Sequence, residues 1–261
     1  MGSQPSKPEP DTEFRVIGAG MPCTGTAAVS EALSILLDRP IYHGGTHVAK
    51  GNPRDTISWV RILKRFPPRT DADRHLVLDI LRNRFEGYAG ATDQPAAVFV
   101  SELLELYPHA MVICTVRDPM MLEQSMARVS NMTSAWFLRL LLLPLPGLRH
   151  FVGYDNLLRR AFVHMYGERG PLNISTYYRH LEWLREFVPE EQLVFVDVKD
   201  GWGPLCEAMG IEVPNVPFPA VDDEEAVKQV VNDTIVRALR SWALVLATIF
   251  CLVAAYRWLT G

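Results

Sequence analysis

The stretch Phe14 to Thr26, FRVIGAGMPCTGT, constrains this chain more than any other. A short apolar strand (Phe14 to Ile17) runs into a glycine-rich turn and then into a helix expected over Ala27 to Leu37. Gly18, Gly20 and Gly25 allow positive φ and close backbone approach. Thr24 and Thr26 place hydroxyls beside the first turn of that helix. Strand, glycine turn and helix N-terminus together make a cradle for an anion, built from backbone donors and the positive end of the helix dipole. The competing reading is plainer: the glycines only turn the chain tightly.

The loop fits neither common nucleotide template. From Gly20 it reads GMPCTGTA, which has Gly25 and Thr26 but no lysine between them, and this argues against an ordinary ATPase or GTPase. As a dinucleotide fingerprint, Gly18-Ala19-Gly20 needs a glycine at 23, where Cys23 stands. A nicotinamide-dependent oxidoreductase would rest on that glycine pair alone.

Strand-like and helix-like segments alternate along the 261 residues, which favours one α/β domain over two. A net charge of −4 gives no basic footprint, so nucleic acid is not an expected partner. Cys23, Cys114, Cys206 and Cys251 lie far apart without CxxC spacing, which points to a reducing compartment and thiols rather than disulfides; no metal site is expected. Pro40 to His43 reads as a second strand ended by Gly44-Gly45. His43 at its end is either a substrate or phosphate contact or a packed histidine. Helices are expected over Arg54 to Phe66 and Asp71 to Phe85.

Ala91 to Pro95 (ATDQP) punctuates the chain before a helical run, Ala96 to Tyr107. Asp93 there is a turn-forming or capping carboxylate, or a catalytic base. Glu102 is the next carboxylate, set among apolar residues that would raise its pKa. Ala110 to Val116 (AMVICTV) is the clearest buried strand and delivers Arg117 at its carboxyl end, the edge at which open parallel sheets bind ligands. The arginine fork suits an anion there, and Ser125 follows on the next helix, Met120 to Val129. An Arg117–Asp118 salt bridge is the structural alternative. Trp136 to Leu148 is strongly apolar but broken by Pro144 and Pro146; a lid, a membrane-dipping patch and plain core all fit it. Further helices (Asp155 to Tyr166, Leu172 to Phe187) precede a strand, Leu193 to Asp197, beyond which Trp202 either stacks on a nucleotide base or packs in the core.

Both ends carry membrane signals. Met1-Gly2-Ser3-Gln4-Pro5-Ser6 matches the pattern for N-myristoylation at Gly2, or else opens a flexible tail through Pro10. Trp242 to Tyr256 holds no charged residue, and Arg240, Trp242, Arg257 and Trp258 suit the two interfaces of a tail anchor. The competing expectation is a buried or dimerising helix, which would make a homodimer. Either anchor leaves the domain facing the cytosol.

The ordered stretches Gly20-MPCTGT, Ile41-Tyr-His43, Asp93-Gln-Pro95, Glu105-Leu-Tyr-Pro108, Val116-Arg-Asp-Pro119 and Asp200-Gly-Trp-Gly-Pro-Leu-Cys206 resemble a P-loop sulfotransferase-like family of small single-domain fungal and invertebrate proteins. That family includes the oxamniquine-activating sulfotransferase of parasitic flatworms. The resemblance runs from about Phe14 to Phe218. It implies an α/β P-loop three-layer sandwich, a parallel sheet with helices on both faces, to which this chain adds a C-terminal apolar helix. It also implies 3′-phosphoadenylyl sulfate as cofactor. The loop Gly20, Pro22, Cys23, Thr24, Gly25 and Thr26 would hold the 5′-phosphosulfate, Arg117 and Ser125 the 3′-phosphate, and Asp93 would be the acceptor base; His43 and Glu102 are further catalytic candidates from their own positions in the chain. Two departures stand out: Cys23 replaces the arginine of the family's PRTGT, and Ala27 and Ala28 stand where a lysine often follows.

The expected organisation is a tail (1–12), a sulfotransferase-like domain (13–220), a connecting helix (221–240) and an anchor (241–259). The expected activity is sulfuryl transfer to a small apolar alcohol, phenol or amine at a membrane surface. A catalytically weakened, membrane-bound interaction module is the alternative.

Overall fold

The computed structural model describes residues 4–133, 136–167, 173–221 and 223–260; Gly2 lies outside the described residues. Its centre is a five-stranded sheet, all parallel, of β1 (Val16–Gly18), β2 (Ile41–His43), β3 (Gly90–Thr92), β4 (Met111–Val116) and β5 (Leu193–Asp197), in the order β2-β3-β1-β4-β5. This order matches neither the dinucleotide-binding nor the flavodoxin-like arrangement. The oxidoreductase reading therefore loses the fold as well as the third glycine.

Period-two alternation in the strands sorts side chains onto two covered faces. Val16 and Ile113 point to one core with Val29, Ala32 and Leu33 of α1 (Thr26–Leu37) and Leu205 and Cys206 of α10 (Gly203–Met209). Ile17, Val112 and Cys114 point to a larger core on the other face. That core is closed by α3 (Pro53–Leu63), α4 (Asp71–Phe85), α5 (Val100–Leu106), α8 (Phe151–Tyr166) and α9 (Ile174–Phe187). A parallel strand buried on both faces must be apolar throughout, which is why β4 reads so clearly in the sequence.

Two elements depart from the expectation. Gly90-Ala91-Thr92 forms β3 between β1 and β2, although small residues carry no strand signal; Gly90 is required because a Cβ there would stand 2.7 Å from the Val16 carbonyl oxygen. Gly44-Gly45 does more than end a strand. It opens α2 (Gly44–Lys50), whose first turn is capped by the His43 ring accepting from the Thr46 N–H.

Past Arg117, Asp118 caps α6 (Pro119–Thr133) by accepting from the Met121 N–H at 3.0 Å, the role that displaces the alternative Arg117–Asp118 bridge. Residues 136–148 form a wedge containing α7 (Leu138–Leu141). Leu142, Leu145 and Leu148 are buried against Ala238, while Trp136, Phe137, Leu140 and Leu143 face outward. The segment is thus core on one face and an exposed apolar surface on the other. The segments expected as a connecting helix and an anchor form one continuous helix, α11 (Asp223–Thr260). Its Glu225–Thr260 portion is long and apolar enough to cross a membrane by length and composition, and hardly any of it is buried.

Candidate functional site

All five strands deliver residues to one rim at their carboxyl ends: the glycine loop after β1, His43 at the end of β2, Asp93 after β3, Arg117 after β4 and Val198 after β5. This is where an open parallel sheet binds its ligand.

The glycines of the loop answer first to protein packing. A Cβ on Gly20 would lie 1.9 Å from Thr115 Oγ1, and one on Gly25 would lie 2.4 Å from Val198 Cγ1; Gly25 also sits at φ 93°. With Gly20 bare, the hydroxyls of Thr24 and Thr115 bond directly, and Thr24 Oγ1 also donates to the Met21 carbonyl at 2.6 Å. Pro22 is half-buried on the outside of the turn. Cys23 adopts φ 68° with its side chain in the larger core, 5 % exposed. Folded this tightly, the loop sets the positive end of the α1 dipole at the rim.

Arg117 reaches back over the loop, donating from Nη1 to the Cys23 carbonyl at 2.9 Å. Its guanidinium thus touches the turn, half-buried, and has four further N–H donors to direct at a ligand. Ser125 lies on α6 with its hydroxyl oxygen buried and without a hydrogen-bond partner.

Helix α9 fastens this rim from beneath. Tyr177 Oη accepts from the Arg117 N–H (3.3 Å) and donates to the Arg117 carbonyl (3.4 Å). One turn on, the fully buried His180 donates from Nε2 to the Ala19 carbonyl and accepts at Nδ1 from Tyr166 Oη, both at 2.6 Å. Burial pushes the His180 pKa down to about 4, so the ring is neutral and its two nitrogens keep these opposite roles. Nothing in the sequence marks His180, Tyr177 or Tyr166 as partners of a loop some 150 residues away.

Asp93 stands opposite the loop in a left-handed conformation (φ 64°). Its carboxylate crosses to α2 rather than capping its own segment. Oδ2 accepts from the Gly45 N–H at 3.1 Å and lies 3.8 Å from His43 Nε2, while Oδ1 is buried without a partner. Gly45 is glycine for this contact, since a Cβ would come within 2.8 Å of Oδ2. His43 Nδ1 accepts from Thr46, which places the proton on Nε2, directed at Thr26 Oγ1 (3.4 Å) and Asp93. A chain of Thr26, His43 and Asp93 thus joins the start of α1 to the carboxylate. Beside Asp93, the Thr92 hydroxyl and both amide atoms of Gln94 are also buried without partners. Tyr154 of α8 faces the same region; burial raises its pKa well above the usual phenol range, and the Asp93 charge adds to the rise.

A buried polar atom without a partner costs roughly 1–3 kcal/mol, so a cluster of them describes a surface that a ligand completes. This donor and acceptor set fits an anionic group over the loop and a hydroxyl or amine against Asp93.

Two expected residues lie elsewhere. Glu102, on α5, accepts from Ser101 Oγ at 2.7 Å and lines a depression with Pro108 and Gln192, which precede the amino ends of β4 and β5. That is the edge opposite the loop; burial raises its carboxyl pKa there, away from any reacting group at the rim. Trp202 is buried against Phe218 and donates from Nε1 to the Val216 carbonyl at 2.8 Å, so packing already occupies its ring and its N–H. Among the described residues no cluster of three or more histidine, cysteine, aspartate or glutamate side chains is placed to hold a metal ion.

A family model described as "Sulfotransferase domain" matches residues 15–227, which include the loop, both ends of the Thr26–His43–Asp93 chain and all of β1 to β5. A curated relative, "Ava biosynthesis cluster protein M" of Aspergillus versicolor, is 31% identical over 141 residues, covering 51% of this chain and 54% of its own. The chain spans about half the length of that relative.

Proposed function

The chain belongs to the sulfotransferase domain family, and on that footing we propose that it transfers a sulfuryl group from 3′-phosphoadenylyl sulfate to a small apolar alcohol, phenol or amine at a membrane surface, with the domain facing the cytosol. The observation that carries this reading is Asp93, buried at the same rim as the glycine loop with one carboxylate oxygen unpartnered. Bound at the rim, the cofactor would supply an electrophilic sulfuryl group on a phosphate leaving group.

The chain's own residues do the rest. The loop backbone and the α1 dipole bind and stabilise the phosphate, and Arg117 with Ser125 take the second phosphate. Asp93 Oδ1 accepts the proton of the acceptor hydroxyl or amine, while the Gly45 N–H holds Oδ2, with His43 Nε2 3.8 Å away, and leaves the other oxygen for the acceptor. Thr26, bonded to His43, ties the position of the base to that of the loop. The name of the fungal relative refers to a biosynthesis cluster, which suits a small-molecule acceptor.

The test is transfer of labelled sulfate from 3′-phosphoadenylyl sulfate to a panel of phenols, amines and aliphatic alcohols by the full chain in detergent. Asp93→Asn should lower transfer by about 10²-fold or more while leaving nucleotide affinity within roughly twofold. Equal transfer by both proteins would remove Asp93 from the reaction.

Cys23 favours a second reading, in which the fold acts as a weakened or non-catalytic membrane-bound module. Cys23 stands in the sequence where the family's loop carries an arginine, with its side chain in the larger core, and losing a cation beside a leaving phosphate can cost on the order of 10²-fold in rate. Cys23→Arg separates the two: a rise from a measurable activity identifies a slow enzyme, and no change from zero favours the module.

A further inference from the structure

The domain releases α11 at a defined residue. Ala238 is fully buried against Leu142, Leu145 and Leu148, and Trp242 Nε1 donates to the Leu141 carbonyl at 3.2 Å. From residue 243 to 260 every position is exposed. Those 18 residues extend about 27 Å, close to the ~30 Å hydrocarbon core of a bilayer. In a span that starts where the helix leaves the domain, Trp242 lies at the membrane boundary beside the exposed Arg240, where tryptophan prefers to sit.

The Trp242–Leu141 bond then fixes the depth of α7. The outward face beside it carries Trp136 (90% exposed), Phe137, Leu140 (60%) and Leu143, an apolar surface that water does not favour. Arg139, Arg149 and Arg240, all exposed, provide cations for anionic headgroups around it.

We propose that the outward face of residues 136–143 is a second membrane contact, lying in the interfacial layer of the bilayer that α11 crosses. It rests on α11 being a membrane span and is independent of the sulfotransferase reaction. Two attachments, one spanning and one interfacial, remove the freedom of the domain to swing on its helix. α6 leads from Arg117 toward this segment and touches α11, so the rim of the site is held close to the lipid, where an apolar acceptor is concentrated.

Full-length Cys251→Ser protein, whose remaining Cys23, Cys114 and Cys206 are buried, would carry Leu140→Cys, Leu244→Cys or, at a remote exposed position, Glu190→Cys, each labelled with an environment-sensitive fluorophore in phosphatidylcholine vesicles containing about one-fifth phosphatidylserine. With a doxyl quencher placed high on the lipid chain, the label at 140 should lose roughly half of its emission, as a group buried ~5–10 Å into the boundary would, and the label at 190 should lose none. Quenching at 244 but not at 140 would refute the second contact while leaving the span intact. Absence of quenching at both would refute the span and the contact with it. Mass photometry in the same lipids tests the other occupant: a dimer whose label at 140 is shielded yet unquenched assigns this face to a second copy and overturns the proposal.

Discussion

Replacing His180 with glutamine tests the claim that a neutral, doubly bonded histidine fastens the glycine loop to α9. At pH 7 the variant keeps a donor for the Ala19 carbonyl but strands the Tyr166 hydroxyl, a loss of about 1–2 kcal/mol. The pH dependence is more diagnostic. The native ring titrates near 4, below its unfolded value of about 6.5. Above that unfolded value neither state holds the proton and the shift contributes nothing. Between about 6.5 and 4 the unfolded chain binds a proton that the native chain refuses, so stability falls by about 1.4 kcal/mol for each unit of acidification. From pH 7 to pH 5 this one residue should remove about 2 kcal/mol from the wild type and nothing from His180→Gln. His47, whose pKa burial also lowers, acts equally in both proteins and cancels. Urea unfolding of the full chain in detergent, followed by near-ultraviolet circular dichroism at both pH values, reads the difference. Parallel pH profiles for the two proteins would refute the neutral-histidine account.

Gly20→Ala places a methyl group 1.9 Å from Thr115 Oγ1 and should cost about 1–3 kcal/mol together with the Thr24–Thr115 bond; an unchanged urea midpoint would show that the loop has room. Trp202→Phe should destabilise the domain by about 1 kcal/mol by losing the indole hydrogen bond to the Val216 carbonyl, yet leave nucleotide affinity unchanged in calorimetry; a large loss of affinity would return Trp202 to the site. Glu102→Gln should raise stability at pH 7 and leave sulfate transfer intact. The native carboxyl titrates above its unfolded value, so its charge opposes folding at neutral pH, and the opposition fades as pH falls through the native value. A wild type that does not gain relative to the variant on acidification would contradict this.

The parts of the site that share a local signal were legible in the sequence. Strand, glycine turn and helix appear as a run, and the buried strand Met111–Val116 delivers the next residue, Arg117, to the carboxyl edge of the sheet. The placement of Asp93 was not legible from position, because its partners at 43 and 45 are fixed only once β2 and β3 pair in register. β3 itself is hidden, since Gly90 and Ala91 are selected by lack of room rather than by strand propensity. Glu102 illustrates the opposite error: an apolar neighbourhood in sequence signals burial, and burial raises a carboxyl pKa at either edge of a sheet. His180 and Tyr177 lie on one face of a helix whose sequence reads as ordinary core. Their bonds to Ala19 and Arg117 run to backbone atoms, which no residue pattern records.

The most direct test of the central claim is calorimetric titration of the full chain in detergent with 3′-phosphoadenosine 5′-phosphate, beside ATP and NAD. The account predicts selective binding of the 3′-phosphorylated nucleotide, abolished by Arg117→Ala. Binding of NAD in its place, or of none of the three, would contradict the assignment of the glycine loop and Arg117 to a sulfuryl donor.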